Sequence, residues 1–509
     1  MTAKLLSFGL QGISGYLVEI EVSISWGLPA LNIVGLPDSV VKESRERVKA
    51  AVKNSGYNWP AERITISLAP SAIRKEGSSF DLGIALSILY ATGQITFPNP
   101  KDFLILGELS LDGTIKPIKG VLPIAMEINK YGYKNIVLPL ENIKEASIIS
   151  EINCFPVKTL REAVELLNNP QAKPFKTDIN ALFDRPTIYN IDFSEVKGQY
   201  LAKRAIEIAV AGGHNIAMIG PPGSGKTMLA KRIPTIMPEL TLEESLELTK
   251  LYSLTNLLSE NNPLMINRPF RSPHHTASNI SLIGGGTTPT PGEISMAHNG
   301  VLFLDELPEF KRASIEALRQ PLEEGKINIC RIRKSLSFPA SFLLVVAFNP
   351  CPCGFFGDAA KRCRCNTTKI ENYIGKLSGP LLDRIDIHIE MPRVKYTELS
   401  DNKEAEASSE IKLRVKNARL VQKERFSKEE KIIYNARMDN RLTKKYCSLG
   451  KEAKELMSLA LNELGLSVRA YDKILKISRT IADLEGIKDI QEKHISEAIQ
   501  YRSLDRKFL

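Results

Sequence analysis

Two rhythms of apolar and polar positions alternate along the first 170 residues. Short runs rich in β-branched and aromatic side chains, at 16–24, 30–34, 64–68, 103–106 and 135–138, predict strands. Stretches with apolar residues three and four apart, at 39–54, 82–91, 121–131 and 160–167, predict helices. Their interleaving predicts an α/β layer spanning 1–170. The rhythm then fails, and Pro170, Pro174 and Pro186 among scattered polar residues predict a linker at 171–192. Beyond it a helix at 200–211 leads to three apolar runs, at 215–219, 301–304 and 342–348, each suited to a buried parallel strand. These place a second α/β domain at 193–395. After a polar connector at 398–410 only helical patterns follow, at 411–426, 451–464, 467–485 and 491–501, so 396–509 is expected to be all-helical.

Chemistry enters at the first of those three runs. Gly220-Pro221-Pro222-Gly223-Ser224-Gly225-Lys226-Thr227 fills the Gly-x-x-x-x-Gly-Lys-Thr pattern between a predicted strand and a helix beginning near Met228. Glycines let consecutive backbone N–H groups curl around phosphates. Lys226 can reach the β and γ oxygens, and the Thr227 hydroxyl can ligate Mg²⁺. This predicts a nucleoside-triphosphate site for ATP. The run at 301–304 ends in Asp305 and Glu306, where open α/β sheets bind ligands. Asp305 is expected to hold Mg²⁺ through its water shell and Glu306 to polarise the attacking water. The third run ends in Asn349, placed to bond that water or the γ-phosphate.

Composition adds a partner class and a metal. With 509 residues, a formal charge of +10 and a sequence pI near 9.0, the chain favours a polyanionic partner. Glycines interrupt the apolar N-terminus, so it lacks a signal-peptide core, and no run is long enough to span a membrane. A cytoplasmic chain is expected. Of seven cysteines, four form two Cys-x-Cys pairs, Cys351/Cys353 and Cys363/Cys365. Four thiolates favour a closed tetrahedral Zn²⁺ site over a redox pair. His274 and His275 are adjacent, and in a strand they would point to opposite faces, which argues against a shared metal site.

Larger motifs carry a family resemblance. Phe270-Arg271-Ser272-Pro273-His274-His275-Thr276, the stretch from Pro291 to Gly300, Asn349-Pro350-Cys351-Pro352-Cys353-Gly354 and the stretch from Leu377 to Asp386 resemble the ComM/YifB family of Mg-chelatase-like AAA+ ATPases over essentially the whole chain. The resemblance implies a P-loop AAA+ α/β domain, a C-terminal helical lid, and a ring-forming, hexameric, ATP-driven DNA motor with helicase and branch-migration activity in natural transformation. It implies that Lys226 and Thr227 form the Walker A pair, Asp305 and Glu306 the Walker B pair, and Asn349 sensor 1. Arg384 matches the trans-acting arginine finger, with an ion pair to Asp383 or Asp386 as the alternative. Arg469 matches sensor 2, with Arg479 as the alternative. Relatives insert a hairpin between the two Walker motifs, which falls at 279–295. The alternation at 327–338 predicts a second hairpin with Arg333 and Lys334 at its tip, where Arg331, Arg333 and Lys334 would grip DNA phosphates without reading sequence.

The segments Ala69 to Ala85 and Gly107 to Gly113 resemble the proteolytic domain of Lon proteases, implying a ribosomal-S5-like fold for the first domain. The nucleophile position falls near Ser79 and the lysine position at Leu122, with Lys116 and Lys119 in the preceding turn. Without a base, the serine hydroxyl is a poor nucleophile. Ser78 and Ser79 are therefore expected to cap the following helix, and the domain to be a non-proteolytic platform. Two rival classes share parts of the pattern. A chelatase-type ATPase remodelling a protein would need partner subunits. A σ⁵⁴-type activator shares the Gly-Val-Leu-Phe-Leu-Asp-Glu strand, but its Gly-Ala-Phe-Thr-Gly-Ala loop is missing here.

Overall fold

The computed structural model describes residues 2–168, 172–183, 189–255, 257–258, 262–286, 289–331, 334–358, 360–394, 405–429, 432–464 and 467–502. Two compact units result, both discontinuous in sequence. The first is Met1–Pro186 with Leu242–Ile266, and the second is Thr187–Thr241 with Asn267–Leu509.

The first unit is built on a seven-stranded mixed sheet in the order Ala30–Val34, Arg63–Ala69, Ser14–Ser25, Thr2–Gln11, Phe103–Ile105, Asn135–Pro139, Asn153–Val157. Every strand predicted for this unit is present. Two more strands of this sheet were not foreseen. Leu5, Leu6, Ser7 and Phe8 of Thr2–Gln11 are consecutive and all buried, so that strand shows no alternation to read. The other, Asn153–Val157, carries Pro156, which an edge strand tolerates because its outer N–H needs no partner.

Both faces of this sheet are covered. One packs against helices Ser39–Asn54, Asp81–Ala91 and Leu160–Asn168. The other packs against Val121–Lys130 and Ile143–Ala146, with Leu246, Leu264 and Ile266 supplied by the 242–266 excursion. The excursion is tied in by polar contacts as well. The Gly120 N–H donates to the Ser253 carbonyl at 3.1 Å. The Glu145 carboxylate accepts from the Ser253 hydroxyl and, at 2.9 Å, from the Leu122 N–H.

The capping role expected of Ser78 and Ser79 is not observed. Phe80 occupies the N-cap of Asp81–Ala91 with no side-chain cap bond, and Ser78 donates instead to the Glu108 carboxylate. The helix start is held by Asp81, whose buried carboxylate bonds Ser44 and, at 2.8 Å, the Arg47 guanidinium. Leu122, at the lysine position of the Lon pattern, is fully buried, while Lys116 and Lys119 are exposed.

In the second unit five parallel strands run in the order Phe270–Arg271, Val301–Leu304, Leu343–Phe348, Ile216–Ile219, Ile387–Glu390. Helices Tyr200–Gly212 and Lys226–Ile236 cover one face. The C-terminal helices Ser408–Arg425, Val468–Leu484 and Glu492–Gln500 join the same core through Ile411, Val415, Ile474, Ile481 and Ile495. Helices Asn440–Tyr446, which was not foreseen, and Lys451–Leu464 complete the helical region. Leu282, Ile294, Ile315 and Ile327 cover the opposite face. No helix among the described residues is long and apolar enough to cross a membrane.

Burial raises the Glu145 carboxyl above its ordinary range, despite the hydroxyl and N–H that donate to it. Because the folded value is the higher one, the unfolded chain ionises first, and stability falls as pH rises through this range. Glu145→Gln keeps an acceptor oxygen and does not ionise. The variant should therefore gain stability relative to the parent as pH rises above the ordinary glutamate range, measured by urea unfolding at each pH. A difference that stays constant with pH would refute the titration.

Candidate nucleotide site and cysteine cluster

Parallel pairing sets the site. Ile219 lies beside Phe348, and Leu304 beside Val346, so the chain leaves three neighbouring strands at one edge of the sheet. The loop 220–227 leaves the first of them. Gly223 and Gly225 have φ of 80° and 92°, and an added Cβ at either would meet nothing within 4 Å, which leaves the inner wall of the loop open. Lys226 starts the next helix and is largely buried. Its ammonium bonds the Gly220 carbonyl at 2.7 Å, the Pro221 carbonyl at 3.1 Å and the Asn349 side-chain oxygen at 3.2 Å. Burial lowers its pKa, while Asp305 and Glu306 pull the other way. The Thr227 hydroxyl donates to Asp305 at 2.7 Å. Loop, helix start, acidic strand end and Asn349 thus meet in one place. A glycine-lined loop, an ammonium and a hydroxyl–carboxylate pair fit a phosphate chain with its Mg²⁺.

Glu306 leaves the strand in the left-handed region, φ 54°, and its side chain is exposed. One carboxylate oxygen lies 3.5 Å from His275 Nδ1. The two histidines do not diverge as they would in a strand. They lie in a turn, and their rings are tilted against each other by 34° with centroids 4.1 Å apart. The missed signal was the proline before them, which ends the strand at Arg271.

Arg384 donates to the Pro380 carbonyl and pairs with Glu323, so neither of the expected acids is its partner. Asp383 instead takes Arg469, from the start of the helix Val468–Leu484, at 3.2 Å, which ties Arg469 to the residue next to Arg384. Arg479 is buried and bound to Asp483 and to the Ile487 and Lys488 carbonyls, closing the end of its own helix.

Asp386 anchors this loop, a role that sequence reasoning missed. Its carboxylate accepts from the Asn215 N–H at 3.0 Å, pairs with Lys473 at 3.2 Å and faces His214 at 3.8 Å. Burial opposes its charge, yet Lys473 and His214 hold its carboxyl well below the usual range. The Asn215 side chain extends the link, donating to the Arg384 carbonyl at 3.2 Å and accepting from the Leu344 N–H at 3.0 Å. The legible signal was position: Asn215 immediately precedes the strand that feeds the phosphate loop.

Cys351, Cys353, Cys363 and Cys365 bring all four sulfurs within 4.8 Å of one another. Three of the separations are 3.4, 3.7 and 3.6 Å, too long for a disulfide. A tetrahedron with metal–sulfur bonds of about 2.3 Å has edges of roughly 3.8 Å, so the donor set fits Zn²⁺. The N–H of Arg364 helps draw the Cys353 thiol down to about 6. This loop abuts the phosphate loop, since a Cβ on Gly354 would come within 2.5 Å of Pro222.

Two hairpins flank the sheet. Gly284–Gly285 pairs with Thr290–Pro291, and Lys326–Arg331 pairs with Lys334–Pro339, one residue beyond the predicted 327–338 at each end. Arg331 stands opposite Lys334 at its end. Arg333, and the side chains of Arg331 and Lys334, lie outside the described residues.

Family comparisons agree along the chain. The model described as Magnesium chelatase, subunit ChlI matches residues 192–399, a second ChlI model matches 20–142, and the ChlI C-terminal model matches 405–502. The fold and these matches define a Mg-chelatase-like AAA+ ATPase, a class that uses ATP and Mg²⁺. The YifB protein of Salmonella typhimurium is 42% identical over 498 residues, covering 97% of this chain and 96% of the relative. Competence protein ComM of Haemophilus influenzae is 42% identical over 500 residues, with the same coverage. The chain belongs to the ComM/YifB family. Lon protease 2 of Bacillus subtilis is 31% identical over 189 residues, a third of each chain, in keeping with a Lon-like N-terminal region.

Asp386→Ala would strand Lys473 beside a neutral side chain. The loss is expected to be about 3–5 kcal/mol, read from urea unfolding. Because the folded pKa is depressed, the parent's advantage should be full above the usual aspartate range and shrink as pH falls through it. A pH-independent difference would exclude the ion pair as its source.

Proposed function

We propose that this chain is an ATP-driven DNA motor, acting in the cytoplasm as a homo-oligomeric ring, with six subunits the expected number. Its role would be helicase and branch-migration activity on incoming or recombining DNA. One observation carries this reading: the Thr227–Asp305 and Lys226–Asn349 contacts lie at one sheet edge, and two hairpins that touch each other leave the same module. Ile329 of the longer hairpin lies 3.2 Å from where a Gly284 Cβ would be. The name of the Haemophilus relative, a competence protein, and the basic charge support DNA as the partner.

Bound ATP and Mg²⁺ would supply the phosphoanhydride and the charge that draws electrons from it. The backbone of 220–227 and the Lys226 ammonium hold the phosphates, and Thr227 with Asp305 holds the metal. Glu306 orients and polarises water, and Asn349 reports the γ-phosphate position to its own strand. Arg384, on the loop fixed by Asp386, serves a neighbouring subunit's nucleotide as the arginine finger, and Arg469, paired with Asp383 from the helix Val468–Leu484, serves as sensor 2. Zn²⁺ on the four cysteines staples the segment between Asn349 and that loop. With Leu122 at the lysine position, the Lon-like region acts as a non-proteolytic platform.

Two outcomes test this. Protein purified without chelators should hold roughly one zinc per chain, and Cys363→Ser/Cys365→Ser should lose it, by elemental analysis. Metal-free parent protein would sink the zinc assignment. The motor itself is tested by ATP-dependent strand displacement on forked and four-way DNA. Arg333→Ala/Lys334→Ala should keep basal ATPase and ring assembly but lose displacement, with the log–log salt slope of DNA binding smaller by roughly 1.4–1.8. An unchanged slope with full displacement would make the hairpin structural only.

A further inference from the structure

The three strands that end at the nucleotide site also begin together, at the opposite edge of their sheet. Their starts line a cavity of about 30 Å³, roughly twice what one bound water requires. Gly213 comes before Ile216–Ile219, Asn299 and Gly300 before Val301–Leu304, and Ser341 and Phe342 before Leu343–Phe348. The C-terminal region contributes Arg419, Tyr434 and Arg437 to the lining. The Arg419 guanidinium lies over the Tyr434 ring, 3.7 Å from its centroid, and donates through Nη2 to the Val210 carbonyl at 2.6 Å. Arg437 donates through Nη1 to the Leu322 carbonyl at 3.0 Å. Gly213, at φ 70°, makes room for the aromatic ring, because an added Cβ would stand 3.1 Å from Tyr434.

Two arginines therefore share a cavity with no carboxylate among its described lining residues. Glu323 lends Arg437 its backbone carbonyl, at 3.4 Å, but turns its carboxylate to Arg384. Burial works against the Arg437 charge, and the pull of Asp386 and Tyr434 does not make up for it. Buried cations are costly until a counter-charge meets them, so the cavity is electrostatically complementary to an anion. The planar guanidinium fork matches oxyanions, and the volume limits the guest to a small one. We propose that this cavity binds a small tetrahedral oxyanion, inorganic phosphate being the one that ATP hydrolysis releases. The bound anion ties the C-terminal helical region to the starts of the three strands.

The probe is sodium phosphate, titrated calorimetrically into the full chain carrying Lys226→Ala, which removes the ammonium of the phosphate loop as a competing site. Ionic strength is held constant with sodium chloride. One saturable site per chain is expected, and sodium sulfate should occupy it too. In the same background, Arg437→Gln and Arg419→Gln should each weaken binding about tenfold, the loss of one charge-assisted hydrogen bond. Ser341→Leu keeps both arginines but fills the cavity, and it should block binding as well. Phosphate should also raise the Tm of the Lys226→Ala protein and leave that of Ser341→Leu/Lys226→Ala unchanged. Absence of both saturable heat and a Tm shift in the Lys226→Ala protein overturns the proposal. So does equal affinity across the cavity variants, or an equal Tm response to sodium chloride, which would reduce the effect to screening.

Discussion

Parallel strand pairing is the constraint on which the second unit depends. Side by side, Val301–Leu304, Leu343–Phe348 and Ile216–Ile219 must end at one edge. Segments as far as 123 residues apart in sequence thereby deliver Lys226, Asp305 and Asn349 to one place without any of them having to search for it. The strands are wholly apolar and buried, so their register is held by packing on both faces as well as by the hydrogen-bond ladder. Shared geometry of this kind makes the contacts between loops short and direct, and it makes each strand end sensitive to its neighbours.

Around that edge, a few polar residues connect parts that packing alone would leave independent. Asp386 gathers Lys473 from the helix Val468–Leu484, His214 and the backbone of Asn215. Through it the loop bearing Arg384 is fixed to the C-terminal helices on one side and to the sheet on the other. The cysteine loop makes a second connection by shape, with Gly354 against Pro222. Both are low-compliance contacts: a buried charge that loses its partner is costly, and a backbone pressed on a proline ring has no slack.

How much of this the sequence reveals depends on whether a feature is local. The phosphate loop, the acidic strand end and the four cysteines are dense local patterns, and the fold brings each set together. Thr2–Gln11 was missed because it is buried on both faces and so lacks a period. The capping role assigned to Ser78 failed because Glu108, distant in sequence, offered its hydroxyl a charged acceptor. Arg384 found Glu323 rather than its sequence neighbours for the same reason. His275 was misjudged by assuming strand geometry where a proline had already ended the strand. Contacts set by tertiary structure, such as Asp386 with Lys473, leave no mark on periodicity at all.

The interrupted sequence of the first unit bears on how the chain is made. Leu246, Leu264 and Ile266 help cover one face of its sheet, and they come from a segment that follows the phosphate loop. A nascent chain that has emerged only to Pro186 holds every strand of that sheet but not the residues that finish its cover. The cover of that face, begun by Val121–Lys130 and Ile143–Ala146, is complete only when Ile266 has cleared the ribosome. By then the phosphate loop and the helix that follows it have also been synthesised. Completion of one unit is thus ordered after synthesis of the other unit's nucleotide loop, and a fragment cut at the apparent boundary would carry an unfinished surface prone to association.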